Sequence, residues 1–372
     1  MGKGGSGVVG VDFFWKRDLM LERKLTESIV LVAMGILDSL SLPVLIAPMA
    51  GGPSTPALVN AAAEAGSLGF LAGGVMGVEQ FRSELAQMTG QYGINLFRPQ
   101  TEEPGPSDID ELAGLLTQPF REYRLGEPRV PAVDLSNGWE DKFQLAVAAR
   151  PAVISCTFGI FSAEEFSTLK QAGIEAWVTV TNPEDACRAQ RSGADVIVLQ
   201  GPEAGGHRST WTVSEEPDIR PLEELLRAVK QAGVTVPIVA AGGLSTGRAV
   251  ARMLDAGAVA AACGSAFLLS EEAGTSEVNR NILAAAADKK LRAVVSRAFS
   301  GRYARGIETR FVRENESLPP VYPYLNAMIA PLRAAAGPSG NWDYAYCLVG
   351  TGIGDINRGS VKHILKVLNP FG

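Results

Sequence analysis

A chain of 372 residues with 46% hydrophobic and 20% charged side chains can bury a large core and carries none of the bias of a disordered or fibrous protein. It exceeds the ~250–300 residues at which a single core stops growing, so a main domain with a smaller appendage is expected. A net charge of −6 excludes the broad basic face that phosphate backbones attract, so no nucleic-acid partner is expected, and the dispersed Cys156, Cys187, Cys263 and Cys347 exclude a zinc site or a disulfide framework.

Residues 1–33 show no periodicity, and Met34 opens MGILDSLSLPVLIAPMAGG, itself a natural start. Residues 1–34 therefore read as an N-terminal extension, expected to be flexible. The apolar run from Ile29 to Leu37 follows Arg23 and Lys24, but it is too short to span a bilayer and lacks a cleavage site. No membrane partner is expected, and the location read from this is cytoplasmic.

Beyond it, apolar runs recur: VLIAPM at 44–49, LGFLAG at 68–73, YGINLF at 92–97, AVISCTF at 152–158, EAWVTV at 175–180, VIVLQG at 196–201, PIVAAGG at 237–243 and AAACGSAF at 260–267. Between most of them lie Ala-rich amphipathic stretches such as TPALVNAAAEAG and STGRAVARMLDAGA, which end at glycines suited to helix C-caps. Continuous apolar strands alternating with helices indicate a parallel sheet covered on both faces. Eight such units predict a (β/α)8 TIM barrel, with an open doubly wound sheet as the structural alternative. Residues 98–151 hold too many turn signals for one helix and read as an excursion at the rim. Residues 271–335 read as helices and loops forming a small helical domain on the substrate side of the mouth. The barrel then comprises 35–270 and 336–368, closed by a helix at 359–368 packed back on it.

In such a barrel, chemistry sits on loops after the C-terminal strand ends. That rule gathers Pro48 to Gly51, Asn95, Gln200 to His207, Gly242 with Gly243, and Gly264 with Ser265 around one mouth. Glycine turns after the last two strands, each facing a helix N-terminus, suit a phosphate, because backbone N–H groups and the helix dipole converge there; tight strand-to-helix packing would need the same glycines. Asn95 and Gln200 end apolar strands, and their amides could bond the edge of a heteroaromatic ring. His207, one of two histidines, follows a glycine pair and could move a proton near neutral pH; a structural bond to Glu203 is the alternative. His363, in VKHILKVL, reads as structural. GTGIGDIN at 350–357 has a dinucleotide-like glycine spacing but no strand–helix–strand setting, and reads as a loop.

LPVLIAPMAGGPSTPALVNAAAEAGSLGFLAGG, YGINLF, VISCTFG, VLQGPEAGGHRS, VPIVAAGGLSTGRAVARMLDAGA, CGSAFLLSEEAG and SRAFSGRYARGI occur in that order over residues 35–350. Together they resemble the nitronate monooxygenase family, formerly called 2-nitropropane dioxygenase. The resemblance implies a TIM barrel with non-covalent FMN, O2 and a small-molecule nitronate such as propionate 3-nitronate as substrates, a carbonyl compound and nitrite as products, and a role in detoxification. It places the catalytic histidine at His207 and puts Pro48, Met49, Ala50 and Gly51 beside the isoalloxazine, with Asn95 and Gln200 as further flavin neighbours. Gly205, Gly242, Gly243, Gly264 and Ser265 would take the ribityl chain and phosphate. Where many relatives carry Gln-x-Gly-Thr at the last strand, this chain has Ala262, Cys263, Gly264 and Ser265, which removes an amide contact and puts FMN affinity in question. Arg208 is a candidate for holding the anionic substrate, and Phe158 and Tyr303 are candidates for the pocket wall. The alternative within the related barrels is an FMN-dependent NAD(P)H enoyl-thioester reductase; outside them it is a flavin-free phosphate-binding barrel. A homodimer is left open.

Overall fold

A computed structural model describes residues 35–286 and 289–371. The predicted N-terminal extension and most of the Ile29–Leu37 run lie outside the described residues. Eight parallel strands form one sheet: β1 (Val44–Ile46), β2 (Phe70–Ala72), β3 (Gly93–Phe97), β4 (Val153–Thr157), β5 (Glu175–Val180), β6 (Val196–Gln200), and, after a two-residue strand β7 (Gly206–His207) that belongs elsewhere, β8 (Ile238–Ala241) and β9 (Ala260–Cys263). The strand order is β1-β9-β8-β6-β5-β4-β3-β2. Its two edges meet where the Ile46 amide donates to the Leu68 carbonyl at 2.9 Å, beside a parallel bridge between Ile46 and Gly69. The sheet thus closes into the predicted barrel, and each strand falls inside its predicted apolar run.

The period-two pattern of the strands divides their side chains between two cores. Leu45, Phe70, Val153, Trp177, Val196, Val239 and Ala260 fill the barrel interior, with the Phe70 and Trp177 rings 5.6 Å apart. Val44, Ile46, Leu71, Ile94, Ile154, Val178 and Ile197 point outward against the helices. Those helices begin where the sequence supplies caps: Thr55, Ser162, Asn182 and Thr246 each accept a hydrogen bond from the third residue on. Such caps contribute ~0.5–2 kcal/mol apiece. The closing helix Val361–Leu368 buries Val361, Ile364, Leu365 and Leu368 against the barrel, at ~1.5–3 kcal/mol per side chain. His363 lies on its exposed face.

The 98–151 excursion contains two helices, Pro106–Glu122 and Trp139–Ala149. The second covers the barrel beside β3. The first buries Leu112, Leu116 and Phe120 in a separate core with Phe299, Phe311, Leu325, Ile329 and Leu332. Residues 271–335 contain the expected helices, notably Glu277–Ala285 and Tyr324–Ala336. They also hold two strands that the sequence reading missed, β10 (Ala293–Ser296) and β11 (Ala304–Ile307). These pair antiparallel with each other, and β11 pairs antiparallel with β7, setting Ala304 opposite His207. A strand pairing thereby ties the histidine loop to the 271–335 segment, hereafter the cap segment. No helix among the described residues is long and apolar enough to cross a membrane.

Candidate active site

A cavity of about 420 Å³ opens at the C-terminal ends of the barrel strands. Its wall contains every residue singled out from the sequence for cofactor or catalysis: Pro48, Met49, Ala50, Gly51, Asn95, Gln200, Gly205, His207, Gly242, Gly243, Gly264 and Ser265. Phe158 also lines it. Arg208 and Tyr303 are not among the lining residues. The Arg208 guanidinium donates to the Asp218 carbonyl at 3.2 Å, and the Tyr303 hydroxyl donates to Glu216 at 2.7 Å. Neither is placed for the substrate role that the sequence suggested.

Part of the cavity wall is rich in glycine and other small residues. Gly242 and Gly243 follow β8 with φ of 128° and 67°, conformations that a side chain disfavours. A Cβ on Gly205 would lie 2.5 Å from the Gly350 nitrogen and from the Val349 carbonyl carbon, and one on Gly350 would lie 2.7 Å from the Glu203 carbonyl oxygen. The two segments pass at a distance that only glycine allows. The Gly350 amide donates to Ser265 Oγ at 2.8 Å, which leaves the serine's own proton to donate elsewhere. Among the described residues, the amides of Gly243 and Leu244 find no carbonyl acceptor, although both residues line the cavity. Free backbone donors at glycine turns are the groups from which anion-binding concavities are built. The segment at 350–357 is the loop that its sequence predicted, with a short 3-10 turn at Ile353–Asp355. Its role in the wall, through Gly350 and Gly352, was missed because it lies far along the chain from the strand turns it covers.

A second stretch of the wall is aromatic and carries His207. The ring lies edge-on to Phe97, Phe158 and Tyr322, with centroids 6.5, 5.7 and 5.5 Å away. Its Nε2 is 2.7 Å from Ser300 Oγ, so the bond to Glu203 weighed from the sequence is not made. Burial first, and the Arg302 charge second, push the imidazole down to about 3, which keeps it neutral. Arg302 is itself buried. Its guanidinium lies 4.1 Å from the Phe158 ring centre and donates to the carbonyls of Thr210 and Thr212.

The two amides serve as braces. Gln200 donates to the His207 carbonyl at 2.8 Å and accepts from the Ser209 amide at 2.9 Å, which fixes the loop that presents the imidazole. Asn95 donates to Ser155 and Thr157 hydroxyls at 2.9 and 3.1 Å, so its nitrogen is committed to neighbouring strand β4. Ser300 and Arg302 escaped the sequence reading because they come from the cap segment, whose pairing with β7 has no local signal.

Comparison with known proteins decides the family: a model described as nitronate monooxygenase matches residues 36–370. The chain belongs to the nitronate monooxygenase family. It is 32% identical over 314 residues to the probable nitronate monooxygenase of Staphylococcus aureus strain Newman, covering 82% of this chain and 86% of that one. A nitroalkane oxidase from Streptomyces ansochromogenes superposes with a TM-score of 0.83 at 34% identity, covering 90% of this chain and 97% of the other. FabK from Thermotoga maritima, at TM-score 0.67 and 23% identity over 90% of this chain and 93% of its own, shares the fold. As a member of the nitronate monooxygenase family, the protein is an enzyme of oxidoreductase type.

Proposed function

We propose that this enzyme binds FMN in the barrel mouth and uses O2 to oxidise alkyl nitronates, such as propionate 3-nitronate, to carbonyl compounds and nitrite. The observation that carries the reading is His207, edge-on to three aromatic rings, lining the same cavity as a glycine turn whose Gly243 and Leu244 amides lack a carbonyl acceptor. At about 420 Å³ the cavity falls in the ~300–1,000 Å³ range of small-molecule and cofactor sites.

The residues present fit FMN. Gly205, Gly242, Gly243, Gly264 and Ser265 would take its phosphate and ribityl chain, because the unpaired Gly243 and Leu244 amides and the Ser265 hydroxyl are donors in search of an anion. Pro48 to Gly51 and Asn95 would meet the ring system, with Gln200 acting at one remove through the His207 loop. When bound, FMN supplies the electron-accepting chemistry that protein side chains lack.

The chain's own residues do the rest. A nitronate is an anion, and the nearest fixed positive charge behind the histidine is Arg302, separated from the cavity by Phe158. For a neutral nitroalkane the first event is transfer of a carbon-bound proton to the imidazole, which leaves an imidazolium beside the nitronate, whose negative charge opposes the burial and the Arg302 charge that otherwise disfavour the protonated ring. Ser300 Oγ faces both the carbonyl and the amide of Arg302 at 3.4 Å. With its hydroxyl proton on that carbonyl, it accepts from Nε2–H, and Nδ1 carries the lone pair that receives the proton.

The test is a visible spectrum of the purified protein, followed by propionate 3-nitronate in air with nitrite release and oxygen uptake recorded. Flavin bands and nitrite formation without NAD(P)H are expected. Flavin bands with NAD(P)H-dependent reduction of an enoyl thioester and no nitrite would replace this reading by the reductase, and failure to take up FMN would remove both.

A further inference from the structure

Lys142 is a lysine without a carboxylate to justify its burial. It sits on the helix Trp139–Ala149, which covers β3, and is only 2% exposed. Its Nζ donates to the carbonyls of Met76, Gly73 and Gly74 at 3.0, 3.1 and 3.5 Å. Asp134, the acid that acts on it electrostatically, commits its oxygens to the amides of Ser136 and Gly138 and the hydroxyl of Ser136. Burying an ammonium costs more than a surface lysine recovers, so the three carbonyls must need it.

Those carbonyls belong to the turn Gly73–Val75 and the next residue, directly after β2 at the functional end of the barrel. The turn is wedged from the other side. A Cβ on Gly73 would lie 2.8 Å from the Phe81 ring, and one on Gly74 would lie 2.6 Å from the Phe97 ring. Phe97 lines the cavity, as does Val75, and Phe97 packs on Phe158 with ring centres 4.6 Å apart. Asn137 adds a neutral donor to the Gly74 carbonyl at 2.5 Å. The ammonium therefore gathers carbonyls that would otherwise point into an interior without water, and so sets the height of the backbone on which the aromatic wall rests.

We propose that Lys142 is a positioning residue, a tethered cation that shapes the β2 side of the cavity, and that its truncation converts the same carbonyls into a binding site for a free alkylammonium ion.

The experiment uses Lys142→Ala in the full chain, with thermal unfolding recorded in choline chloride and in propylammonium chloride at equal ionic strength. Propylammonium carries the carbon chain and the charge that the truncation removes, whereas choline is too bulky and donates no N–H. The expected result is a Tm fall of roughly 5–10 °C in choline, with more than half of it restored by propylammonium and no change in the wild type. Lys142→Met, which keeps the volume and loses the charge, should be destabilised and unresponsive to either salt.

The same variant should raise KM for propionate 3-nitronate several-fold, with recovery in propylammonium. That second readout rests on the proposed reaction, while the thermal one is independent of it. Equal response of Lys142→Ala to the two salts, or a Lys142→Met protein as stable as the wild type, would overturn the proposal. Should Lys142→Ala not fold in choline, the refolding yield takes the place of Tm: recovery in propylammonium alone supports the tethered cation, and no recovery overturns it.

Discussion

The Nε2 atom of His207 lies 2.7 Å from the hydroxyl oxygen of Ser300, and β7 and β11 pair within a few residues of that contact. Ser300 is fully buried and too small to leave a large void on truncation. Ser300→Ala should keep the fold and any bound flavin while freeing the ring to turn. Because only a neutral nitroalkane needs a proton removed, its turnover should fall ~10-fold or more, a part of the ~10²–10⁴-fold that a positioned general base contributes, with much less effect on the preformed nitronate. Steady-state kinetics with nitroethane and ethylnitronate check this. An equal loss on both substrates would mean that the serine serves the wall and not the proton.

The same histidine makes a statement about pH. Its folded value is pushed from 6.5 down to about 3, by burial and then by Arg302, so the native state binds fewer protons than the unfolded chain between those limits. The sign follows: this contribution to stability is present above pH ~6.5 and is lost as pH falls toward ~3. His207→Gln should flatten the acid side of the stability curve and leave the neutral side unchanged in slope. Urea midpoints of the two proteins from pH 7 down to pH 4 measure the difference.

The strands and their closure were legible because each barrel strand is buried on both faces and so reads as an unbroken apolar run; the strand from Glu175 to Val180 matches its predicted bounds. That the glycines and His207 would share one cavity wall was legible because a TIM barrel gathers its loops at the strand C-termini, a rule that needs only the strand ends. What the sequence withheld is the cap side. Ser300 reaches His207 through a pairing 93 residues distant in sequence, and Gly350 meets Ser265 over a separation of 85. No periodicity carries such distances, because they depend on how a two-residue strand at Gly206–His207 finds its partner.

Two neighbouring glycines separate space from conformation. Gly206 has φ of 87° with nothing within 4 Å of a Cβ, whereas a Cβ on Gly205 would meet the backbone of Val349 and Gly350 at 2.5 Å. Gly206→Ala should cost only the left-handed strain of ~1–2 kcal/mol. Gly205→Ala must push the Val349–Gly350 backbone outward and open the seat around Ser265. FMN content per chain, from visible absorbance after gel filtration, should therefore drop at least ~10-fold in Gly205→Ala, and far less in Gly206→Ala. Equal retention in both would move the phosphate elsewhere.

Asp185 supplies a pH effect of opposite sign, away from the cavity. It stands in the first turn of the helix Pro183–Ser192, where it accepts from the Asn182 side chain at 2.8 Å. Burial, reinforced by Glu215 and Glu184 and opposed by Asn182 and Arg188, raises its carboxyl from 3.8 to about 6. The folded state then holds the proton more tightly than the unfolded chain, so stability is greatest below pH ~4 on this account and declines as pH rises through about 6. Asp185→Asn keeps an oxygen for the Asn182 amide and removes the charge. Allowing for solvent screening of a partly exposed group, and for the lost attraction of an acid to the helix N-terminus, the variant should gain about 1 kcal/mol at pH 7.5 and only about a third of that at pH 4.5. Urea unfolding at the two pH values tests it. A gain of the same size at both would assign the effect to packing, and a loss at pH 7.5 would mean that the helix terminus needs the charge more than burial resists it.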